Sequence, residues 1–284
     1  MRMLYVTDLH GDTIKYNKLL TIAVDNDIKL IVNGGDMLPK QCNRHMEQPL
    51  FVSQYLRNYF TALKKEDITC LAMLGNDDLL SMDKLFNDVC NEFDNVYNIA
   101  QNKVTIDGYE FIGMNYILDH PFACKDRVVM EDNYIFQRQF MPYALLSNDF
   151  DYDKINDWIE YATTKLPKMY DILSKLPKPQ NADKTIYVTH MAPAGLKLGQ
   201  LRYPDLDIGS VDIYNFFKEK QPLLTLHGHI HESPDTKLGK WINTIDKTTC
   251  INTGQTEINN DLLIYADIDL KNQKYTREIV SVSH

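Results

Sequence analysis

Residues 3–12 read MLYVTDLHGD, a short apolar run that ends in an acidic residue, a histidine and a glycine. The run predicts a buried β-strand, and the segment after it repeats apolar residues at helical spacing. KLIVN (29–33) and TCLAML (69–74) predict two more apolar strands, with a helix predicted over residues 50–64 between them. Strand–helix–strand alternation with solidly apolar strands is typical of a parallel sheet that is buried on both faces.

The rest of the chain predicts a second set of strands and an inserted segment. KVTIDGYEFIGM (103–114) contains two strands joined by Asp107-Gly108, a dipeptide typical of a type I′ hairpin turn. Strands resume at TIYVT and at LLTLH, and more follow towards the C-terminus. Residues 119–182 lack clear strands, so we predict a helical insert there. The predicted fold class is α/β, a single domain over residues 1–284 with two packed sheets.

Composition and charge limit the classes of function open to this chain. Its 284 residues include 30 Lys and Arg against 39 Asp and Glu, a formal charge of −9, whereas nonspecific DNA or RNA binding needs a basic face. No apolar stretch is long enough for a transmembrane span, and the run before Asp8 is too short for a signal peptide. The cysteines form no CxxC pair, which favours reduced thiols: Cys42, Cys70, Cys90, Cys124 and Cys250. We therefore expect a cytoplasmic protein without a membrane or nucleic-acid partner.

Polar side chains follow five of the predicted apolar strands, at the points where the strands end. Taken singly, each of these motifs also has an ordinary explanation as a turn, a helix cap or a solvent-facing loop. In open α/β sheets, however, ligands bind at the carboxyl ends of the strands. The side chains placed there are Asp8, His10, Asp36, Asn76, His190, His229 and His231. Their convergence predicts one binding site at this edge.

The chemistry of these seven side chains favours a pair of metal ions. Imidazole and carboxylate ligands suit Mn, Fe, Zn or Ni, and the set contains no thiolate. Seven ligands are more than one ion uses, but they suit two ions that share a bridging carboxylate. Two metals about 3.5–4 Å apart can clamp a phosphoryl group and activate a water molecule.

The motifs resemble those of the calcineurin-like metallophosphoesterase superfamily in both order and spacing. They are DLH (8–10), GD (35–36), GNDD (75–78), THMAP (189–193) and GHIH (228–231), and CINTGQ (250–255) is similar to the usual ending of the family. The resemblance implies two mixed sheets packed face to face and flanked by helices. It also implies a dimetal centre at one end of the sheets.

The resemblance assigns a role to each of the seven side chains. Asp8, His10 and His231 would bind the first metal, Asn76, His190 and His229 would bind the second, and Asp36 would bridge them. The two divalent ions are expected to be Mn²⁺, with Fe, Zn, Ni or Mg as alternatives. The family hydrolyses phosphoric esters by in-line attack of a metal-bridging hydroxide, without a phosphoenzyme, and His229 is counted among the catalytic residues.

The sequence departs from the family pattern after Asn76. Many members carry there a histidine that protonates the leaving oxygen, whereas this chain has Asp77. Asp77 would need a raised pKa, from burial or from neighbouring Asp78, to act as that acid. Alternatively, the substrate needs no acid at this position, as for a phosphodiester, and we favour this interpretation. Loss of a general acid typically costs about 10²–10⁴-fold in rate.

Two further residues near the motifs leave alternatives open, and one residue of the family pattern is missing. We interpret Asp78 as orienting a neighbour through hydrogen bonds, or as the N-cap of the helix that follows. His227 is a reserve candidate for the acid, although its place in an apolar strand favours a structural role. GDMLPK lacks the second aspartate that often follows the GD pair in the family.

We predict a dimetal-dependent phosphodiesterase that acts on a small phosphorylated or nucleotide-like substrate. The alternatives are a Ser/Thr protein phosphatase or another phosphomonoesterase, and a metal-free scaffold of the same fold. The negative charge counts against a DNA nuclease. The insert is expected to select the substrate. Within the insert, Arg127 and Arg138 are candidate substrate contacts. Outside it, the candidates are Arg202, Tyr116 and Tyr203. For each of the five, the alternative is an ordinary exposed surface residue.

Overall fold

Two six-stranded sheets form the centre of the protein. We describe a computed structural model, and its described residues are 1–41, 43–203, 205–255 and 261–282. The strands are β1 (Arg2–Val6), β2 (Leu30–Asn33), β3 (Thr69–Ala72), β4 (Val96–Asn98), β5 (Lys103–Ile106), β6 (Tyr109–Met114), β7 (Ala144–Ser147), β8 (Tyr152–Ile155), β9 (Thr185–Thr189), β10 (Leu224–His227), β11 (Ile242–Ile245), β12 (Thr248–Asn252), β13 (Leu262–Asp269) and β14 (Lys274–Ser281).

The first sheet is parallel up to its β4 edge and antiparallel at the other edge, whereas the second has a parallel centre with two antiparallel edges. The first has the order β14-β13-β1-β2-β3-β4, in which β1 to β4 run parallel. The second has the order β11-β12-β10-β9-β6-β5, in which β6, β9, β10 and β12 run parallel. The β5–β6 hairpin turns at Asp107 and Gly108, whose φ angles of 51° and 78° match the predicted type I′ turn. The predicted α/β class with two packed mixed sheets is confirmed.

Alternation along the strands divides the core into layers. Leu4 and Val6 of β1 pack under the helices that cover the first sheet. Met3 and Tyr5 point the other way and join residues of the second sheet, such as Phe111, in a core between the sheets. Each large apolar side chain fully buried in this way contributes roughly 1.5–3 kcal/mol. A third core covers the outer face of the second sheet, so the protein has four layers.

Seven α-helices cover the outer faces within the described residues. They are α1 (Thr13–Asp25), α2 (Arg44–Leu50), α3 (Arg57–Lys65), α4 (Asp83–Cys90), α5 (Trp158–Lys165), α6 (Met169–Lys175) and α7 (Val211–Lys220). A π-helical segment, Phe51–Leu56, joins α2 to α3, so the helix predicted over residues 50–64 begins earlier than predicted. The segment follows Pro49, which has no N–H to donate to the helical ladder.

The insert at residues 119–182 is not purely helical. It contains α5 and α6, but also the antiparallel pair β7–β8, which our sequence analysis did not predict. These two four-residue strands are largely half-buried or exposed and carry no alternating pattern. Their signal in the sequence is therefore weak.

Two expectations from composition bear on the described residues. No helix among them is long and apolar enough to cross a membrane. The thiols of Cys70, Cys90, Cys124 and Cys250 are free. Cys42 lies outside the described residues.

Candidate metal centre

The seven predicted ligands lie on loops that follow parallel strands of both sheets. Backbone hydrogen bonds continue the sheet into these loops, from Asp8 N–H to the Gly35 carbonyl and from His10 N–H to the Asp36 carbonyl, both at 2.9 Å. In the second sheet, Gly228 N–H donates to the His190 carbonyl at 3.0 Å. The carboxyl ends of the two sheets therefore meet at one edge of the protein.

Four of these residues adopt left-handed backbone conformations. The φ angles of Asp8, His10, Asp36 and His229 are 57°, 45°, 51° and 66°. This region is uncommon for residues other than glycine, and such strained positions cluster at functional sites. The strain supports a functional role for these loops.

One half of the site brings together two carboxylates and two imidazoles. Donor atoms of Asp8, His10, Asp36 and His231 all lie within 4.8 Å of one another. The Nε2 atoms of His10 and His231 are 3.1 Å apart, and His231 Nε2 is 3.5 Å from Asp8 Oδ1. This group has the size and the donor chemistry of a site for one divalent cation.

The other half centres on the amide oxygen of Asn76. His229 Nδ1 lies 2.6 Å from Asn76 Oδ1, and His190 Nε2 lies 3.0 Å from the same atom. His190 Nε2 is also 3.4 Å from Asp36 Oδ2. Asp36 therefore lies between the two halves, as a bridging carboxylate would.

A glycine permits the close approach of Asp36 to the Asn76 loop. A Cβ atom at Gly75 would lie 2.2 Å from Asp36 Oδ1. Because Gly75 has no Cβ atom, Asp36 Oδ1 can accept a hydrogen bond from Asp77 N–H at 2.8 Å. Only glycine leaves this space.

Buried oxygen atoms at the centre lack hydrogen-bond donors. Among the described residues, Oδ2 of Asp8 and Oδ2 of Asp36 are buried and accept no hydrogen bond. Burying such an oxygen without a partner is costly. His190 Nδ1 contacts the Gly34 carbonyl at 2.9 Å, so a neutral His190 directs its Nε2 lone pair at oxygen atoms. Cations placed among these atoms would satisfy both features, so the residues fit a metal centre.

The electrostatics of the centre tie Asp36 to His190. Burial alone would raise the pKa of Asp36, but the attraction of His190 holds it well below its ordinary value. Burial alone would lower the pKa of His190, but Asp36 raises it to about 9. A proton held by this pair is one that a cation would displace.

Comparison with known families and structures identifies the chain. The family model for calcineurin-like phosphoesterases matches residues 1–233. The chain belongs to this family. The family is dimetal-dependent, and the resemblance found in the sequence is confirmed.

Solved structures share the fold at low sequence identity. The protein TT1561 of Thermus thermophilus is 15% identical, with a TM-score of 0.57 over 99% of both chains. A dimetal phosphatase from Danio rerio is 8% identical, with a TM-score of 0.53 over 100% of this chain and 97% of its own. No curated protein matches the sequence.

Asp77, where many family members have histidine, forms an ion pair at the edge of the centre. Its Oδ1 lies 3.1 Å from an Nη2 atom of Arg44, and its Oδ2 lies 4.0 Å from His10 Nδ1. Burial, followed by the charge of Asp36, raises the pKa of Asp77, and Arg44 opposes this rise. The cause of the raised pKa is thus burial, with Asp36 rather than Asp78 as the neighbouring charge.

Asp78 is fully buried and holds two loops together. Its carboxylate accepts hydrogen bonds from the backbone N–H groups of Met37, Leu38 and Gly75, at 2.9, 2.7 and 2.7 Å. The 3₁₀ turn that follows has no side-chain cap, so the N-cap alternative is wrong. Burial raises the pKa of Asp78 to about 7 even though these donors favour the carboxylate. Its hydrogen bonds fix the loop that carries Asp36 against the loop that carries Asn76.

His227 is part of the core. Its Nδ1 lies 2.9 Å from Thr189 Oγ1 and its Nε2 lies 2.8 Å from Thr225 Oγ1. Burial lowers the pKa of His227 to about 4. Because both ring nitrogens have hydroxyl partners, neither is free to protonate a leaving group. His227 therefore has the structural role that its place in an apolar strand favoured.

The candidate substrate contacts of the sequence analysis have different surroundings. Arg127 is buried and donates to the Gly75 carbonyl at 2.7 Å and to Asp83, so it stabilises the fold and is not available to grip a second phosphate. Arg138 and Arg202 are exposed, and Tyr203 is 88% exposed. Tyr116 packs against the outer core of the second sheet. The structure therefore provides no evidence that any of these five residues contacts the substrate.

Two residues at the centre, Arg44 and His120, lie outside the motifs from which the site was predicted. Arg44 begins α2 and reaches Asp77, although nothing in the spacing of the GD motif indicated it. His120 lies beyond β6, and its ring centroid is 6.3 Å from that of His229. The strand-end rule applies to β6 as well, because β6 runs parallel to β9. In the sequence, β6 was predicted only as the second strand of a hairpin.

Proposed function

We propose that this phosphoesterase hydrolyses a phosphodiester bond in a small phosphorylated or nucleotide-like substrate, using two divalent cations. The strongest support is the convergence of seven metal-compatible side chains, among them two buried carboxylate oxygens that accept no hydrogen bond. Mn²⁺ is the first candidate for both ions, with Fe, Zn, Ni or Mg as alternatives.

We infer that the ligands divide between two metal positions. Asp8, His10 and His231 would hold one ion, and Asn76, His190 and His229 would hold the other, with Asp36 shared. Two bound cations would polarise a phosphoryl oxygen and activate water as the nucleophile. Asp78 keeps the two ligand loops in register, and the Gly34 carbonyl fixes the orientation of His190.

The preference for a diester rests on Asp77. Its contact with Arg44 stabilises the carboxylate form, and two nearby cations would stabilise it further. An ionised Asp77 has no proton for a leaving oxygen. A substrate with a good leaving group, or one protonated by water, would not require it.

A phosphomonoesterase, including a Ser/Thr protein phosphatase, is the second candidate. One observation favours it: burial raises the pKa of Asp77, as a general acid at this position would need. A metal-free scaffold of the same fold is disfavoured, because all seven ligand positions carry suitable side chains.

The chemistry of the chain also supports a place in the cytoplasm. Four described cysteines remain free thiols, as in a reducing compartment. The formal charge of −9 favours a small substrate over a nucleic-acid partner.

The test is a side-by-side assay of bis-p-nitrophenyl phosphate and p-nitrophenyl phosphate, with protein loaded with Mn²⁺ and then Ni²⁺, Zn²⁺ or Mg²⁺. His229→Ala serves as the blank. The proposal predicts faster turnover of the diester and an inactive blank. Faster turnover of the monoester would favour the second candidate, with Asp77 as the proton donor.

A further inference from the structure

The insert places one histidine beside the metal centre. His120 follows β6, whose carboxyl end lies next to that of β9 in the second sheet. Its ring centroid is 6.3 Å from that of His229, and the residue is 7% exposed. His120 therefore lies within reach of a ligand bound at His229, although it belongs to none of the family motifs.

The backbone fixes which nitrogen of His120 carries a proton. Phe122 N–H donates to His120 Nδ1 at 3.2 Å, so the neutral ring carries its hydrogen on Nε2. An Nδ1 atom that accepts this N–H carries no proton, so the ring is neutral. Among the described residues, this Nε2 has no hydrogen-bond partner in the structure. A protonated Nε2 offers no lone pair to a metal ion but is a hydrogen-bond donor.

A buried charged network holds His120 in place. Lys125 Nζ donates to the His120 carbonyl and to Asp119 Oδ1, the latter at 2.7 Å. Trp158 Nε1 donates to the same Asp119 oxygen at 3.0 Å, and Gln139 donates to the other oxygen at 2.8 Å. Lys125 and Asp119 are 1% and 4% exposed. Because each charge has several partners, the network rigidly positions the backbone of His120.

We propose that His120 is a further substrate-contacting residue, whose Nε2–H donates a hydrogen bond to an oxygen of the phosphate ester bound beside His229. The proton stays on the nitrogen, so no covalent step is assigned to this ring. The proposal rests on the proposed phosphoesterase function. It gives the insert a direct part in binding the phosphoryl group, in addition to shaping the substrate site.

The experiment compares His120→Phe and His120→Gln in the metal-loaded protein. Phenylalanine removes the donor and keeps a ring, whereas glutamine restores an N–H donor. His45→Phe is the matched control, because His45 is a partly buried histidine that contacts Tyr152 and the Asn148 carbonyl. Three quantities are measured: metal content, the Kd of inorganic phosphate by calorimetry, and kcat/KM with bis-p-nitrophenyl phosphate.

We expect His120→Phe to retain both metals while its Kd for phosphate rises and its kcat/KM falls, each by roughly 10- to 100-fold. His120→Gln should recover most of both losses, and His45→Phe should match the wild type. The pH–rate profile should keep its shape in His120→Phe, because a neutral donor adds no titration.

Two results would overturn this role. One is unchanged phosphate binding in His120→Phe, and the other is loss of metal in that variant with no recovery in His120→Gln. Failure of the proposed function is separable from both. It would appear as wild-type protein that binds two metals and phosphate but hydrolyses neither ester, and the phosphate titration would still test His120.

Discussion

The metal centre and the insert are built in different ways. The predicted ligands lie at strand ends, where backbone hydrogen bonds and left-handed turns fix their directions. The insert depends on buried side-chain charges: Lys125 pairs with Asp119 within it, and Arg127 joins it to Asp83 in the rest of the protein. A β scaffold of this kind can keep its chemistry constant while an insert changes the surroundings of the substrate.

The insert nevertheless contacts the ligand loops directly. Arg127 Nε donates to the carbonyl of Gly75, the residue before Asn76. Asp126 accepts hydrogen bonds from Leu80 N–H at 2.8 Å and from Ser147 N–H at 2.6 Å. Substitutions in the insert should therefore shift the ligand loops and lower the free energy of unfolding. Substitutions at a strand end should instead remove a metal ligand.

The largest effect is expected at the bridging position. Asp36→Asn keeps the shape of the side chain but removes the charge that two cations would share. We expect a loss of activity greater than the ~100-fold that substitutions around a ligand shell cost, together with reduced metal content. Steady-state kinetics and elemental analysis measure both.

Asp27→Asn is the matched control, because Asp27 also has a left-handed φ of 51° and is exposed. It should leave activity unchanged. Wild-type activity in Asp36→Asn would contradict the claim that the strand ends supply the essential ligands.

The next effect concerns the stability of the insert. Lys125→Met leaves Asp119 as a buried carboxylate without its cation, and removal of one partner of a buried pair costs about 3–5 kcal/mol. Denaturant unfolding measures the free energy. Lys84→Met, which breaks the exposed pair with Asp88, should unfold like the wild type. Equal free energies of unfolding for both variants would show that the charged network does not stabilise the insert.

The smallest effect is expected at Asp77. If Asp77 is an ionised partner of Arg44, Asp77→Asn should lower diester turnover by less than about tenfold and leave the shape of the pH–rate profile unchanged. A general acid would cost about 10²–10⁴-fold and would remove the limb of the profile that falls as the pH rises. The rate profiles of both proteins from acid to alkaline pH separate these outcomes.

The sequence predicted the site better than its surroundings because strand ends have a regular relation to the fold. Asp8 and Asp36 each follow an apolar run, so the strand pattern and the ligand position are found together. His120 and Arg44 depend on where a loop and a helix pack, and no local pattern encodes that. The β7–β8 pair was missed because its residues lack the alternation of a half-buried strand.

Calorimetric titration of the metal-free protein with Mn²⁺ tests whether these strand ends form a two-metal centre. Wild-type protein is predicted to bind two ions per chain, and Asp36→Asn is predicted to bind fewer or to bind them more weakly. One ion per chain, or two ions bound equally well by Asp36→Asn, would contradict the shared site built around Asp36.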